Sequence, residues 1–347
     1  MKNLPYMVRG WIVASLFLLT AALPLQAQTY YLPKTTLNIH LLIEKQTYTP
    51  GRFSRYAEKY LRVSGVSQDQ QVSHRIIGCD VTTLGVRDTT KCFTLRLKGK
   101  SESADIRLSD DGVLLSINTD PLTPSSSLIT QHAALNTQPS SLNTQHPSLL
   151  SAEVLAAGST AKMAELTAQQ ITELRERRQL LATGEADNMP QDERQLQLML
   201  SELDSQCNAL TSLFTGTVRR DTTAQEVTLC PDKEMEREVV FRLSRRLGLV
   251  DKDDLAGAPY YITLKNLHPA EGVPLPENKK GEGLYANVPG TVQLTLQQED
   301  QPLATFQVPM AQFGFVELRE ASLFKRYHTT LQLHPATGAV VSCHFTE

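Results

Sequence analysis

Tryptophan and the standard catalytic motifs are scarce in this sequence, and each shortage excludes a class of function. The one tryptophan, Trp11, lies in the N-terminal segment, so a platform of tryptophan side chains for glycan binding is excluded. No Gly-x-Ser-x-Gly or His-Glu-x-x-His motif occurs, which excludes a nucleophile elbow and a zincin metal site. We therefore predict no catalytic, cofactor-binding or metal-binding residues and no cofactor.

Cysteine is also sparse, with five residues spread widely along the chain and no Cys-x-x-Cys pair. This spacing excludes a thioredoxin-like redox site, and the odd count does not suit a disulfide scaffold. Most of these cysteines are expected to be small buried side chains. If one pair is bridged, the similar flanks near strand ends point to Cys92 and Cys230.

The N-terminus has the layout of a cleaved secretory signal peptide. Lys2 and Arg9 flank the start of an uncharged apolar stretch, and Ala27 supplies a small residue before the expected cut at Gln28. This stretch is too short for a membrane anchor, and no later segment is apolar enough to span a bilayer. We therefore predict a signal peptide over residues 1–27 and a location in the periplasm or at the outer membrane.

The mature chain is weakly acidic. The chain has 34 Lys and Arg against 37 Asp and Glu, and loss of Lys2 and Arg9 leaves 32 against 37, a formal charge of −5. Weak acidity argues against nucleic acid as the main partner. A protein partner in the envelope is the expectation that remains, with a glycan as an alternative.

Apolar periodicity places β-rich segments at both ends of the mature chain. Residues 37–43 alternate between apolar and polar side chains along much of their length, as a half-buried strand requires. More strand patterns and one short helix follow, so residues 28–120 are predicted to form an N-terminal β-rich domain. Strand patterns return later, and residues 217–347 are predicted to form a C-terminal β-rich domain.

The middle of the chain contains two different segments. Residues 121–152 contain no Asp, Glu, Lys or Arg and are rich in Ser, Thr and Gln, which predicts a disordered linker. Residues 153–216 contain two stretches with helical apolar spacing, the first running from Thr160 to Ala182, which predict a long antiparallel helical hairpin. The hairpin either packs on a neighbouring sheet or protrudes as an arm that binds a partner. The predicted fold class is therefore α+β, with two β-rich domains separated by a disordered linker and this hairpin.

A shift of 186 positions aligns apolar residues in the two β-rich domains without a gap. Each aligned stretch would then be a strand, a short helix and a strand. The alternatives are a duplication of one domain and a chance coincidence. The aligned pairs are Leu41 with Val227, Ile43 with Leu229, Phe53 with Val239, Ala57 with Leu243, Leu61 with Leu247, Val63 with Leu249 and Ile76 with Ile262.

The C-terminal histidines can be tested as zinc ligands by strand geometry. If residues 335–338 form a hairpin turn, residues whose numbers sum to 673 face each other. His328 and His334 then share a face about 20 Å apart, and His344 points to the opposite face. Three ligands so placed cannot bind one zinc ion.

Five segments of the sequence resemble a family of secreted proteins. They are Tyr31–Thr35, Tyr56–Leu61, Ala156–Glu165, Leu213–Thr217 and Leu247–Gly257. These segments are similar to domain-of-unknown-function family 4831, found in Bacteroides and relatives, and the resemblance covers nearly all of the mature chain. It implies a location in a Gram-negative envelope and supplies no activity and no catalytic residues.

The implied location gives meaning to two Asp-Thr-Thr sequences. Exported proteins of Bacteroidetes are often O-glycosylated at Asp-Ser or Asp-Thr followed by a small or apolar residue or by Thr. Residues 88–90 and 221–223 match this pattern, and each lies near a predicted turn beside a strand. We therefore predict O-linked glycans on Thr89 and Thr222.

Three functions remain compatible with the sequence. The first is a non-enzymatic interaction or structural protein of the periplasm that acts through its β-rich surfaces or its helical hairpin. The second is a periplasmic glycan or peptidoglycan hydrolase whose paired carboxylates are dispersed in the sequence. The third is a glycan-binding module with a platform of tyrosines, for which the candidates are Tyr30, Tyr31, Tyr260, Tyr261 and Tyr285.

Overall fold

The computed structural model describes residues 27–96, 104–123, 150–190, 192–268, 283–320 and 328–346. The segment predicted as a signal peptide, through residue 26, lies outside these ranges, and so does the predicted linker between residues 124 and 149. The structure is 52% strand and 23% helix. Within the described ranges, no helix is long and apolar enough to cross a lipid bilayer.

Twelve strands and three α-helices form the described part of the chain. The strands are β1 (Ala27–Thr49), β2 (Gln71–Arg96), β3 (Ile106–Leu108), β4 (Leu114–Ile117), β5 (Thr217–Leu229), β6 (Met235–Ser244), β7 (Gly248–Val250), β8 (Ala258–Asn266), β9 (Gly283–Gln298), β10 (Gln301–Glu320), β11 (His328–Leu333) and β12 (Val340–Thr346). The helices are α1 (Ala152–Leu155), α2 (Thr160–Thr183) and α3 (Glu193–Thr215). A 3₁₀ turn (Ser54–Tyr56) and a π-helical turn (Ala57–Leu61) follow β1.

The strands form three antiparallel sheets in the described ranges. The first sheet has the order β2-β1-β5, and the second has the order β10-β9-β8-β6-β7. The third sheet has the order β12-β11-β4-β3.

The predicted fold class, α+β with two β-rich domains separated by a long helical hairpin, is wrong. β5 comes from the predicted C-terminal domain, but it pairs with β1 of the predicted N-terminal domain over residues 37–49. β11 likewise pairs with β4. Because both halves contribute strands to shared sheets, the fold is one β-rich assembly and the helices do not separate two domains. Apolar alternation predicts strands but carries no information about which strands pair.

β1 is long enough to contribute to two hydrophobic cores. Even-numbered residues of β1, Tyr30 and Leu32, are buried in the first core. Odd-numbered residues between Leu37 and Ile43 are buried in the second core. The change of inward-facing positions follows a register shift, since Tyr31 pairs with Cys92 but Pro33 pairs with Arg87. The extra residues form a bulge in β2 opposite this part of β1.

The two cores lie between different sheets. The first core joins the beginning of β1 and the end of β2 to the third sheet and to one end of β9 and β10. The second core packs β1 against β6, β8, β9 and β10 of the second sheet. Full burial of each large apolar side chain in such a core stabilises the fold by about 1.5–3 kcal/mol.

Helices α2 and α3 pack on the connection between β1 and β2 and form a third core. Ser159 caps α2 by accepting a hydrogen bond from the backbone N–H of Lys162, and Asp192 caps α3 in the same way. Phe214 at the end of α3 is fully buried against Phe53, with ring centroids 5.3 Å apart. α3 therefore ends in the core and leads directly into β5.

The segments related by the shift of 186 positions have different structures. Phe53 precedes the helical turns and Ala57 lies within them, whereas their counterparts Val239 and Leu243 lie in β6. Residues four positions apart share a face in a helix and also in a strand. An apolar spacing of four therefore does not distinguish the two, and the aligned pattern does not mark a repeated fold.

Candidate functional site

β5 is an edge strand of 13 residues, and none of them is buried. It pairs antiparallel with β1 along its whole length without a register shift, from Leu37 with Leu229 to Thr49 with Thr217. Among the described residues, no strand pairs with its other side. That side therefore presents a row of backbone N–H and C=O groups, which are a template for a strand from another chain.

The two faces of β5 differ in chemistry. Val227 and Leu229 pack against the second core, so the odd-numbered residues face the second sheet. The even-numbered residues face away from it and include Arg220 and Glu226. On the core-facing side, Arg219 forms an ion pair with Asp221 at 3.0 Å.

His40 lies in the middle of the first sheet, on the face that carries Glu226. Its Nε2 atom lies 2.7 Å from Oγ1 of Thr82 on β2. Its Nδ1 atom lies 3.0 Å from a carboxylate oxygen of Glu226 on β5, at an angle that does not form a hydrogen bond. The His40 side chain is 8% exposed and that of Glu226 is 51% exposed. One side of the Glu226 carboxylate thus faces the ring, and the rest of it is available to a partner.

A cleft of about 600 Å³ lies beside β5, where the first sheet faces β6 and β7 of the second sheet. Two aspartates and one lysine line it together with apolar side chains, and Glu226 borders it with its carboxylate turned to His40 on the other face of β5. The lining residues are Glu226, Val227, Thr228, Val240, Phe241, Leu249, Val250, Asp251, Lys252 and Asp254. Arg242 holds the acidic turn in place, since its Nε donates a 2.7 Å hydrogen bond to the Lys252 carbonyl. The cleft therefore combines an apolar lining with net negative charge at the edge of β5.

A second surface feature lies between the far ends of α2 and α3. It is an apolar groove of about 500 Å³, whose lining includes Leu180, Leu181, Leu198 and Met199. Leu198 is 69% exposed there. No described residue of the chain covers this groove. The groove offers only apolar contact, which would suit many different partners.

The structure places the two predicted glycosylation residues in different settings. Thr89 is exposed in the bulge of β2. In the same bulge, burial raises the pKa of Asp88, but hydrogen bonds from Thr90 and the nearby lysines lower it further, so that the net shift is downward. Thr222 is half-buried in the middle of β5, opposite Glu44. The sequence predicts a turn near this residue, but Thr222 lies away from the ends of its strand.

The predicted disulfide does not form in this structure. All five cysteines lie within the described ranges, and all are free thiols. Cys92 lies on β2 opposite Tyr31, whereas Cys230 follows β5, whose last residue is opposite Leu37. The two thiols are therefore on opposite sides of β1 and displaced by about 20 Å along it, too far for a disulfide.

The tyrosines proposed for a glycan platform do not form one. Tyr30, Tyr260 and Tyr285 are buried. Tyr31 on β1 and Tyr261 on β8 are half-buried, belong to different sheets and are each covered by an arginine. The sequence does not reveal this, because aromatic residues suit both a core and a binding face.

The register of the C-terminal hairpin differs from the prediction. A bulge between Gln332 and Leu333 places His344 opposite Thr330, and so on the face of His328 and not on the other face. In the described ranges, no three His, Cys, Asp or Glu side chains are grouped so that they could hold a metal ion.

Comparison with known families finds one match. The family described as Domain of unknown function (DUF4831) matches residues 26–341. Comparisons with curated proteins and with solved structures find no match.

Proposed function

Since this chain belongs to the family Domain of unknown function (DUF4831), we propose a function from its geometry: it is an exported, non-enzymatic interaction protein that binds a protein partner by strand addition at β5. The observation that carries this proposal is a 13-residue edge strand, one side of which pairs with no other strand in the described ranges. Strand addition supplies affinity through main-chain hydrogen bonds and specificity through alternate side chains.

β5 carries four charged side chains but lacks other usual protections of an edge strand. It contains no proline and no bulge, and it is not short. Natural proteins use such devices to prevent unwanted pairing between edges. The length and regularity of this edge therefore support a partner strand that pairs with it, and the charges of β5 limit which strands fit.

Recovery of partners from native envelope extracts tests this proposal. Thr223 is exposed in the middle of β5, and Thr223→Lys places a charge there, which blocks edge pairing. The matched control is Gln307→Lys at an exposed position of β10, which is also an edge strand. We expect Thr223→Lys to lose a stoichiometric partner that wild type and Gln307→Lys retain, with all three chains equally folded by circular dichroism. Equal recovery of the partner by Thr223→Lys would refute the proposal.

Export is part of the same proposal. The signal layout of residues 1–27 supports it. Fractionation of the native host, followed by N-terminal sequencing, should place the chain in the envelope with Gln28 as its first residue. A chain recovered from the cytoplasm with Met1 intact would contradict export.

O-glycosylation of the exported chain is a further proposal, supported for Thr89 by its exposure in the bulge. Intact mass of the chain from its native host should show a glycan increment that Thr89→Ala removes or reduces. The half-buried position of Thr222 makes it the poorer acceptor of the two. An increment that persists after both Thr→Ala changes would contradict this proposal.

The acidic cleft supports one second candidate, a glycan or peptidoglycan hydrolase. Asp251 and Asp254 line one cleft, and glycoside hydrolysis requires a pair of carboxyl groups across a bound sugar. Release of reducing ends from purified peptidoglycan tests it. Activity that is lost in both Asp251→Asn and Asp254→Asn would favour the hydrolase, and no release by wild type would remove it.

A further inference from the structure

We propose that the strand that pairs with β5 is β5 of a second copy of this chain, antiparallel to it about a twofold axis at Thr223. This inference rests on the proposed function of β5 and names its partner. The resulting dimer contains one continuous six-stranded sheet with the order β2-β1-β5-β5-β1-β2.

Symmetry limits the registers that two copies of β5 can adopt. Antiparallel strands of two identical chains are related by a twofold axis perpendicular to the sheet, so that equivalent faces of the two sheets lie on the same side. Residues directly opposite each other point to the same face. Opposite residues in the dimer are therefore both odd-numbered or both even-numbered, and their numbers sum to an even value.

The charges of β5 select one of these registers. Its charged residues are Arg219, Arg220, Asp221 and Glu226. Registers centred on any of these four residues place that residue opposite its own copy, and like charges directly opposite are destabilising. The register centred on Thr223 places Arg220 opposite Glu226 of the second copy, and symmetry produces this pair twice. One other symmetric register pairs opposite charges, Arg219 with Asp221. That register is centred on Arg220 and so also places Arg220 opposite its own copy.

The same register also gives the greatest overlap. With numbers that sum to 446, the first residue of the strand, Thr217, lies opposite the last, Leu229, and all 13 residues are paired. Because backbone pairing increases with the number of residues aligned, overlap and charge favour one arrangement. A sequence selected only for solvent exposure gives no reason for this agreement.

The side chains of the selected pair are available for it. Arg220 is exposed and forms no ion pair with any described residue. Glu226 is half exposed on the same face of β5. The inferred dimer therefore gives both an opposite charge at the edge of the sheet.

Cysteine cross-linking tests the register directly. Thr223→Cys places two thiols opposite each other at the axis, with Cβ atoms about 4.5–5.5 Å apart, close enough for a disulfide after slight adjustment. The matched control, Gln225→Cys, lies on the same face, but its two copies are about 13 Å apart along the strands. Both changes are made with Cys230→Ser, because Cys230 is exposed. Mild oxidation should give a covalent dimer with Thr223→Cys and not with Gln225→Cys. Equal yields from the two variants overturn the register.

Charge reversal tests whether the pairs form between chains. We expect Arg220→Glu and Glu226→Arg each to weaken the dimer at least tenfold in sedimentation velocity experiments, because each places like charges opposite each other twice. An equimolar mixture of the two variants should regain the dimer, since the first supplies two acidic residues and the second supplies two arginines. A mixture that stays as weak as its components overturns the inference, and so does a wild-type chain that is monomeric at all concentrations.

These outcomes separate the inference from the proposed function. If the wild-type chain is monomeric but Thr223→Lys still loses a partner from native extracts, β5 binds a different protein and self-pairing is refuted alone. If Thr223→Lys changes neither self-association nor partner recovery, both proposals fail.

Discussion

The junction between α3 and β5 provides a sharp test of how the edge strand is held. Gly216 separates the helix from the strand with φ +79° and ψ −178°, a region adopted almost only by glycine. A Cβ atom at this position would lie 2.6 Å from the carbonyl oxygen of Thr49 and 2.6 Å from the ring of Tyr48. Thr49 cannot easily move away, because it pairs with Thr217 at the first position of β5.

Gly216→Ala should therefore destabilise the fold in two ways. The backbone conformation costs about 1–3 kcal/mol for a residue with a side chain. Displacement of the neighbouring backbone costs roughly another 1–3 kcal/mol. We expect a total of about 2–6 kcal/mol, most of it reflected in loosening of the start of β5.

Gly184→Ala is the matched control for this change. Gly184 ends α2 with φ +80° and ψ 14°, but a Cβ atom there would meet no atom of a described residue within 4 Å. It therefore carries only the conformational cost, about 1–2 kcal/mol. In urea unfolding followed by circular dichroism, a slope of about 3 kcal/mol/M turns a loss of about 3 kcal/mol into a midpoint shift of about 1 M. If Gly216→Ala is no more destabilising than Gly184→Ala, the tight contact with Thr49 does not hold β5, and the reasoning is refuted.

Three further predictions concern the packing and ionisation of single residues. Phe214→Ala should destabilise the fold by about 3–5 kcal/mol because the side chain is fully buried. Leu198→Ala is the control, since the side chain of Leu198 is mostly exposed. A similar loss of stability from both changes would show that burial is not the cause. Burial lowers the pKa of His334 in the folded chain. As the pH falls, the ring therefore takes up a proton in the unfolded chain before it does so in the folded chain. The folded state loses stability as the pH falls below about 6.5, the ordinary pKa of histidine. The urea midpoint should then fall more between pH 7 and pH 5 in wild type than in His334→Gln, and equal falls would exclude this ring as the cause. Burial raises the pKa of the Cys79 thiol to about 12. At pH 8 a disulfide reagent should therefore modify the exposed Cys230 first and Cys79 only when the chain unfolds. Comparable rates of modification at the two cysteines, measured by mass spectrometry, would show that Cys79 is accessible in the folded chain.

Local elements of the fold were predictable wherever a periodic pattern was long. The sequence predicts a helix from Thr160 to Ala182, and α2 covers Thr160–Thr183. It predicts a strand at residues 37–43, which lie within β1. These elements follow from patterns that repeat over several turns or several residue pairs, and their end signals, such as the Ser159 cap, are also local.

Bulges explain why counting residues along a strand did not predict which side chains share a face. The bulge beside Leu333 moved His344 to the face opposite the predicted one. The bulge in β2 breaks the register between β1 and β2 at Tyr31 and Pro33. A bulge adds residues to one strand without leaving a periodic signature, so register cannot be read across it from sequence alone.

The candidate site depended on pairing and could not be identified from the sequence. The pattern of Val227 and Leu229 indicates a strand, but whether that strand is central, at an edge or paired with β1 depends on residues nearly 190 positions away. β5 has an exposed edge because, among the described residues, no second strand pairs with it. Only the tertiary structure shows this.

The sequence by itself determined the family, the two long helices and most strands, because family resemblance and periodicity are both carried by local order along the chain. Tertiary structure alone decided that β5 joins β1, that the two predicted β-rich domains share their sheets, and that Cys92 and Cys230 lie on opposite sides of one strand. The physical reason is that sheet formation joins residues distant in sequence through backbone hydrogen bonds. Those bonds are nearly the same for every residue type, so the choice of partner depends on side chains that meet only in the assembled sheets, and a local pattern does not reveal it.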